Sequence, residues 1–248
     1  MNIGIIPGGE IYLRDNIFDP LNEKLNRDNC HEYLILFKSK MSKLGHDVRT
    51  YDLFMPNDID ILIVFRIDFM IKHFLKVMRS NNHCRVFYMM TEPSIISKLH
   101  EFRYLKEFKF DKIFTWNDCE IRKSNQIEKL NYVNPRINPN SIPEISFKEK
   151  ELIATIVGNK SSKFSNELYS ERLNVAKYFS TKKESFSLYG RGWNIDKRDW
   201  LKKIWKGEVT NKKDVLQNYK FTLCFENSSG YEGYITEKIF DAFSAGSV

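Results

Sequence analysis

The feature that most constrains this chain is the alternation of short apolar runs with amphipathic stretches along most of its length. The apolar runs have the length of strands, and Asp60–Phe65 is apolar between its ends, as expected when both faces of a sheet are covered. The stretches between them carry apolar residues at helical spacing, as in His31–Leu44, which is followed by Gly45. Strand–helix alternation with short links predicts parallel sheets in a doubly wound α/β fold.

The predicted elements fall into two series separated by a proline-rich stretch. The first series predicts strands at Asn2–Ile6, Asp47–Tyr51, Asp60–Phe65, Arg85–Met90 and Lys112–Trp116, and helices at His31–Leu44, Phe69–Met78 and Ile95–Phe108. The second predicts strands at Leu152–Val157, Phe186–Tyr189 and Phe221–Phe225, and helices at Asn166–Phe179, Lys212–Asn218 and Glu237–Ala245. Between them, Asn131–Phe147 holds prolines among Asn and Ser, which is typical of a linker. We therefore predict two Rossmann-like domains, residues 1–140 and 148–248, facing a ligand-binding cleft.

The end of the chain bears on the second domain. Ser247 and Val248 begin what is expected to be a further strand, and a doubly wound domain rarely ends there. We therefore expect the second domain to be truncated at its C-terminal side.

Composition excludes several other classes of protein. The hydrophobic fraction is 42% and no long low-complexity tract occurs, as in globular proteins. The longest apolar runs are far shorter than a membrane span, and Met1–Pro7 resembles a first strand more than a signal peptide. The 4 cysteines form no CxxC pair, which favours a reduced, cytoplasmic protein.

The formal charge of +7 is explained mainly by a lysine-rich surface. It also suits a phosphate-bearing ligand. Neither zinc-finger spacing nor an RNP-type motif is present, so nucleic acid is a weak alternative that predicts salt-dependent binding of DNA or RNA. Basic stretches such as Lys182-Lys183 and Lys202-Lys203 leave open a peripheral contact with the inner membrane surface.

The polar loop after the last predicted strand is the strongest candidate site. It follows the carboxyl end of a parallel strand, where open α/β sheets bind ligands. Thr236 is a predicted N-cap, and the free N–H groups and partial positive charge of a helix N-terminus suit phosphate. Lys238 adds a positive charge for a diphosphate, and Glu237 can accept hydrogen bonds from ribose or sugar hydroxyl groups.

Two strings in this segment, Phe225-Glu226-Asn227-Ser228 and Tyr234-Ile235-Thr236-Glu237-Lys238, carry a specific resemblance. They resemble the C-terminal signature of the α1,3/α1,4-fucosyltransferases, which are glycosyltransferases of the GT-B type. The resemblance implies two Rossmann-like domains and the inverting transfer of L-fucose from GDP-β-L-fucose to a hydroxyl group of an acceptor glycan. It implies a donor site at Arg172, Asn227, Tyr234, Glu237 and Lys238.

Other segments agree with the same family at lower specificity. Ser187–Gly192 resembles the family strand that ends in a glycine turn, which assigns Gly190 and Gly192 to the donor side. Arg172 matches the position of an arginine that faces the donor pyrophosphate, although a solvated helix arginine is as good an interpretation. The strand Arg85–Met90 and the following Thr91-Glu92-Pro93 resemble the strand that carries the general base, which assigns that role to Glu92.

The implied mechanism uses no cofactor beyond the donor substrate. Arg172, Lys238 and the helix N-terminus would stabilise the leaving diphosphate, and Glu92 would take the proton of the acceptor hydroxyl group. No metal is expected to be required, although a divalent ion can stimulate turnover. Asp58-Ile59-Asp60 is a D-x-D sequence at the amino end of a strand, the wrong end for a site, and the 5 histidines show no ligand spacing.

Two alternatives stay open on the sequence. The first is a glycosyltransferase of the same fold that uses another nucleotide sugar, because the signature addresses mostly the nucleotide and the phosphates. The second is a truncated, non-catalytic protein that binds a nucleotide sugar. Measurements of donor turnover and GDP binding distinguish them.

Overall fold

The computed structural model of this protein describes residues 1–131, 145–182 and 185–248. These residues form two compact units. Unit 1 comprises residues 1–131 with Glu232–Tyr234, and unit 2 comprises residues 145–231 with Ile235–Val248. Both are α/β units with parallel sheets, as the alternation predicts. Most of the predicted linker lies outside the described residues, and the boundaries at 140 and 148, like the cleft, stay predictions.

Unit 1 is built on a sheet of six parallel strands in the order β2-β1-β3-β4-β5-β6. The strands are β1 (Asn2–Ile6), β2 (Asp47–Thr50), β3 (Ile61–Val64), β4 (Arg85–Met90), β5 (Lys112–Thr115) and β6 (Ile127–Lys129). Ile3, Ile5 and Val48 form a buried cluster with Leu34 of the first helix. The order of strands reverses between β1 and β3, and loops at such a switch point form the ligand crevice of open sheets.

The helices of unit 1 are α1 (Glu32–Lys43), α2 (Ile67–Ser80), α3 (Phe102–Leu105) and α4 (Asp118–Ile121). They follow the predicted pattern except at Ile95–Phe108 and at α4, which was not predicted. The prediction of one helix over Ile95–Phe108 is wrong, because Ser97 and Glu101 have extended backbones. The Ser97 side chain accepts a hydrogen bond from Leu99 N–H and starts a separate 3₁₀ turn, which competes with continuous helix.

Unit 2 contains four parallel strands in the order β10-β7-β8-β9. The strands are β7 (Glu151–Ile156), β8 (Phe186–Tyr189), β9 (Trp205–Gly207) and β10 (Tyr219–Thr222), and the helices are α5 (Tyr169–Ser180), α6 (Leu201–Ile204), α7 (Lys212–Leu216) and α8 (Glu237–Ser244). Leu188, Trp193 and Leu201 belong to its buried core. The pairing of β10 with β7 ends at Thr222. The predicted strand Phe221–Phe225 therefore begins two residues and ends three residues too far along the chain. Cys224 and Phe225 therefore lie in the loop that follows.

No helix among the described residues is long and apolar enough to cross a membrane.

Candidate functional site

The loop between β10 and α8 is held against the segment that precedes α5. Leu168 N–H donates to Asn227 O at 3.1 Å, and Ser229 N–H donates to Asn166 O at 2.9 Å. Between these bonds, Glu167 and Ser228 form an antiparallel bridge. The first part of the loop therefore has a fixed backbone, although it lies outside the sheet.

Arg172 fixes the point at which the chain leaves β10. The residue is 5% exposed, and its Nη2 donates to Phe225 O at 3.1 Å and to Glu226 O at 2.6 Å. The same nitrogen donates to Asn227 Oδ1 at 3.2 Å. The structure thus brings two predicted donor residues, Arg172 and Asn227, into direct contact. The buried guanidinium group donates to carbonyl groups that lie beyond the end of β10. Arg172 therefore also organises this loop.

The carboxylate of Glu226 joins this end of the loop to the start of α8. Its Oε1 accepts hydrogen bonds from Thr236 N–H at 2.8 Å and from Thr236 Oγ1 at 2.9 Å. Its Oε2 lies 2.8 Å from Thr236 Oγ1 and accepts from Lys238 Nζ at 2.9 Å. Lys238 Nζ also donates to Thr236 Oγ1 at 2.7 Å. Glu226 therefore contacts two residues of the predicted site.

Thr236 occupies the N-cap position of α8 as predicted, but its side chain makes no capping hydrogen bond. The hydroxyl group bonds to the carboxylate of Glu226 and to the ammonium group of Lys238 instead. Hydrogen bonds to charged groups are stronger than those to a neutral amide, which explains the choice of partner.

Glu237, the predicted partner of ribose or sugar hydroxyl groups, lies between two lysines. Its Oε1 is 3.8 Å from Lys238 Nζ and 3.9 Å from Lys212 Nζ. Burial alone would raise the pKa of Glu237, but the charges of Lys238 and Lys212 outweigh it and the pKa is lowered. The carboxylate is therefore ionised at neutral pH and accepts hydrogen bonds.

Sequence reasoning gave no role to Lys212 or Glu226. Lys212 begins α7 and pairs with Asp241 Oδ2 at 2.7 Å, and nothing in the sequence distinguishes it from other helix lysines. Glu226 could have been recognised as a candidate site residue, because it lies inside the family signature next to Asn227. Its function could not be inferred because its partners lie ten and twelve residues further along the chain.

An open pocket of about 30 Å³, the space of roughly one water molecule, lies beside Lys238. Its lining comes from the ends of β7 and β10 and from α7 and α8: Ile156, Val157, Lys212, Leu216, Thr222, Leu223, Cys224, Phe225, Lys238 and Asp241. Burial, together with the charges of Asp241 and Glu226, raises the pKa of the Cys224 thiol to about 11. The thiol is therefore neutral, and the charged groups of this wall are Lys212, Lys238 and Asp241.

Gly190 and Gly192 form the turn at the carboxyl end of β8. Both have positive φ, 129° and 81°. Gly190 N–H donates to Gly207 O at 2.9 Å, and Gly192 O accepts from Asn159 Nδ2 at 3.0 Å. The turn therefore adjoins the chain just beyond β7, at the end of the sheet where parallel α/β folds bind ligands.

Glu92 lies in unit 1, half-buried just beyond the carboxyl end of β4. The neighbouring Thr91 O accepts a hydrogen bond from Trp116 Nε1 at 3.2 Å, which fixes the local backbone. Burial alone would lower the pKa of Arg66. The hydrogen bond to Asp68 and the charges of Asp68 and Glu92 outweigh burial, so the pKa of Arg66 is raised. The predicted base therefore has a cationic neighbour.

Tyr234, predicted to bind the donor, is grouped with unit 1 rather than with Lys238. It is 8% exposed, and its ring centroid lies 4.5 Å from that of Trp116. Within the same unit, Glu232 Oε2 lies 2.6 Å from Arg122 Nη2. A side chain this buried contributes to packing, and its predicted contact with the donor stays a prediction.

Arg66, Asp68 and His100 form a largely buried, hydrogen-bonded cluster near Glu92. Arg66 Nη2 lies 2.7 Å from Asp68 Oδ2, with side-chain exposures of 16% and 10%. His100 Nε2 lies 3.3 Å from Asp68 Oδ1. Burial favours the neutral acid, but hydrogen bonds from Arg66 and His100 and their charges hold the pKa of Asp68 far below its usual range.

Asp68→Asn is expected to lower the free energy of unfolding by about 3 kcal/mol at pH 7, because it leaves the largely buried Arg66 without its hydrogen-bonded carboxylate partner. Since the folded-state pKa of Asp68 is lowered, its stabilisation is present above its unfolded-state pKa and is lost as the pH falls below about 4. Urea unfolding from pH 3 to pH 7 measures both effects. Asp199→Asn, in an exposed pair with Lys202, serves as the control. An equal loss in both variants would contradict the prediction.

Within residues 1–131, 145–182 and 185–248, no group of three or more His, Cys, Asp or Glu side chains is arranged to hold a metal ion. The aspartates of the D-x-D sequence contact β1 instead. Asp60 Oδ2 accepts from Asn2 N–H at 2.7 Å, and Asp58 O accepts from Asn2 Nδ2 at 2.8 Å.

Comparisons with known proteins show that this site lies within a segment that matches a known family. Residues 147–248 match the family model described as glycosyltransferase family 10 (fucosyltransferase) C-term. A stretch of 35 residues is 63% identical to the alpha-(1,3)-fucosyltransferase FucT of Helicobacter pylori, covering 14% of this chain and 7% of that protein. A solved structure titled "Crystal structure of GtfA/B complex" is similar over 86% of this chain and 44% of that chain, at 11% identity and a TM-score of 0.42.

The predicted family resemblance is therefore confirmed for the C-terminal part of the chain, which matches the model of the family 10 (fucosyltransferase) C-terminal domain. The matched segment contains all of the contacts of Glu226, Thr236 and Lys238 described above.

Proposed function

We propose that this protein is an inverting glycosyltransferase that transfers L-fucose from GDP-β-L-fucose to a hydroxyl group of an acceptor glycan, in an α1,3 linkage. The observation that carries the proposal is that the family match and a charged cluster lie in the same segment of the chain. The family 10 domain, residues 147–248, contains a cluster of Glu226, Thr236 and Lys238 at the N-terminus of α8. Two further charged residues, Glu237 and Lys212, adjoin this cluster.

The donor half of the proposal follows from charge and helix geometry. A diphosphate at the start of α8 would meet the positive end of the helix and the ammonium group of Lys238. Arg172 would add a guanidinium group through the loop that it organises, and the ionised Glu237 would accept hydrogen bonds from the ribose hydroxyl groups. These groups would stabilise the charge on the departing GDP without a metal.

The acceptor half rests on the family resemblance and on the position of Glu92 at the carboxyl end of β4. Glu92 would take the proton from the acceptor hydroxyl group as its oxygen bonds to the anomeric carbon of fucose. The bond from that carbon to the β-phosphate oxygen breaks in the same step, and GDP leaves with the electron pair. One direct displacement inverts the anomeric configuration from β to α.

We also propose a reducing, cytoplasmic compartment, as expected from a sequence whose 4 cysteines form no CxxC pair.

Lys238→Ala tests the donor site directly. We expect it to weaken GDP binding by about 10- to 100-fold, because a charge-assisted hydrogen bond contributes about 1.5–3 kcal/mol. Isothermal titration calorimetry with GDP measures the change. Lys202→Ala, which removes a lysine with 74% side-chain exposure in the same unit, is the matched control. Unchanged GDP affinity in Lys238→Ala would contradict the proposal.

The identity of the sugar is tested separately by turnover of a panel of nucleotide sugars with glycan acceptors. Release of GDP from GDP-fucose, with fucose recovered on the acceptor, is the expected result. Turnover of a different nucleotide sugar alone would overturn the fucose assignment and keep the donor site. Binding of GDP with no turnover of any donor would favour a non-catalytic binding protein.

A further inference from the structure

We propose that Glu226 is a positioning residue, whose carboxylate holds the ammonium group of Lys238 in place for the donor diphosphate. The inference rests on the proposed function, because it assigns Glu226 a part in the same donor site. Neither the chemistry of transfer nor the binding of phosphate calls for an acid at this place. The carboxylate therefore needs an explanation of its own.

The position of Glu226 is fixed from the backbone side. Arg172 Nη2 donates to Glu226 O at 2.6 Å, and Arg172 is 5% exposed. The next residue, Asn227, accepts a backbone hydrogen bond from Leu168 N–H at 3.1 Å. A carboxylate on such a backbone loses little further freedom when it binds a partner. It can therefore hold a flexible side chain.

Both carboxylate oxygens are used. Oε1 accepts from Thr236 N–H and lies 2.9 Å from Thr236 Oγ1, while Oε2 accepts from Lys238 Nζ at 2.9 Å. The hydroxyl group of Thr236 in turn accepts from Lys238 Nζ at 2.7 Å. The three residues form a closed ring of hydrogen bonds at the first turn of α8. Side-chain exposures of 19% for Glu226 and 23% for Lys238 limit competition from water.

A carboxylate beside a phosphate site has two opposing effects. It repels the phosphate, and it also restricts the lysine, whose free side chain would lose rotamer entropy when a ligand immobilised it. The ammonium group has three donors, and hydrogen bonds among the described residues use two of them, to Glu226 Oε2 and Thr236 Oγ1, while Glu237 Oε1 lies 3.8 Å away. The third can bind the diphosphate while the ring stays closed. Restriction therefore outweighs repulsion, because the negative charge of Glu226 is already neutralised by Lys238 and by the helix N-terminus.

A double-mutant cycle on GDP binding tests this inference. The cycle compares the unmodified protein with Glu226→Gln, Lys238→Ala and the double variant, by calorimetry with GDP at one fixed salt concentration. Glu226→Gln keeps the shape of the side chain and removes its charge. We expect it to weaken GDP binding about 10-fold, and Lys238→Ala to weaken it at least as much. The double variant should bind GDP within about 2-fold of Lys238→Ala alone, because Glu226 acts through Lys238.

Two further measurements separate positioning from a loss of fold. In Glu226→Gln the KM for the donor should rise about 10-fold while the KM for the acceptor stays unchanged. Thr236→Val removes the hydroxyl bridge and should also weaken GDP binding several-fold, so a poorly folded Glu226→Gln would not block the test. Glu171→Gln, an exposed acid of α5 in the same unit, is the matched control and should bind GDP normally.

The outcomes distinguish the two proposals. If Lys238→Ala binds GDP normally, the donor site itself is wrong. If Lys238→Ala is weak but the effects of the two single variants multiply in the double variant, the donor site stands and positioning by Glu226 is overturned. Tighter GDP binding by Glu226→Gln would also overturn it, because the carboxylate would then compete with the diphosphate for Lys238.

Discussion

Glu92→Gln is expected to lower the rate of fucose transfer by about 10²- to 10⁴-fold, the contribution typical of a general base. Glutamine keeps the size of the side chain but does not take a proton from the acceptor hydroxyl group. The proposed donor residues Arg172, Glu237 and Lys238 lie in unit 2, while Glu92 lies in unit 1 just beyond β4. GDP affinity should therefore stay unchanged. Single-turnover transfer with GDP-fucose gives the rate, and calorimetry with GDP gives the affinity.

Glu107→Gln is the matched control for this experiment, because Glu107 is an exposed acid of the same unit. It should transfer fucose at the normal rate. Near-normal turnover by Glu92→Gln would show that another group is the base. Loss of GDP binding along with turnover would instead show that the substitution disturbs more than the proton transfer.

Gly190→Ala is expected to destabilise unit 2 by about 3–5 kcal/mol, through overpacking and a disfavoured backbone conformation. Gly190 has a φ of 129°, and an added Cβ would lie 2.1 Å from Val157 O and 2.7 Å from Val157 C. These atoms belong to backbone that cannot move freely, because Val157 N–H donates to Tyr189 O at 2.9 Å and Val157 O accepts from Trp193 Nε1 at 2.7 Å. The methyl group would have to separate the ends of β7 and β8.

Gly192→Ala is the control for Gly190→Ala, because both glycines lie in one turn and both have positive φ. At Gly192 the nearest atoms to an added Cβ, Asn159 Cβ and Asn159 O, are 3.5 Å away, which is an ordinary contact. Only the backbone conformation is penalised there, by about 1–2 kcal/mol. Thermal and urea unfolding of both variants measure the difference. Equal destabilisation would contradict the assignment of a steric clash at Gly190.

Elements with a complete local pattern were predicted most accurately. The strands β1, β4 and β8 have the predicted bounds, and α1 is one residue shorter at each end than its predicted span. Each is defined by apolar residues within its own few positions. The short strands β6 and β9 and the short helices α4 and α6 were not predicted, because three or four residues carry too little periodicity to be recognised.

Elements whose ends depend on distant partners were predicted less well. The apolar run Phe221–Phe225 predicts a strand, but pairing with β7 ends at Thr222. The carbonyl groups of Phe225 and Glu226 instead accept hydrogen bonds from Arg172, 53 and 54 residues away along the chain. The predicted helix Ile95–Phe108 is divided at Glu101, and His100 turns its ring towards Asp68, 32 residues earlier in the chain.

The sequence by itself determined the class of fold and the place of the candidate site. Strand–helix alternation is a local pattern, and Phe225–Lys238 is a contiguous signature, so both can be recognised without any knowledge of distant contacts. The tertiary structure alone decided which partners those residues take. Arg172 binds the loop, Thr236 bonds to a carboxylate instead of capping its helix, and Lys238 is held by Glu226. Ion pairs and buried hydrogen bonds depend on distances of a few ångströms between segments far apart in the chain, and only the folded chain sets those distances.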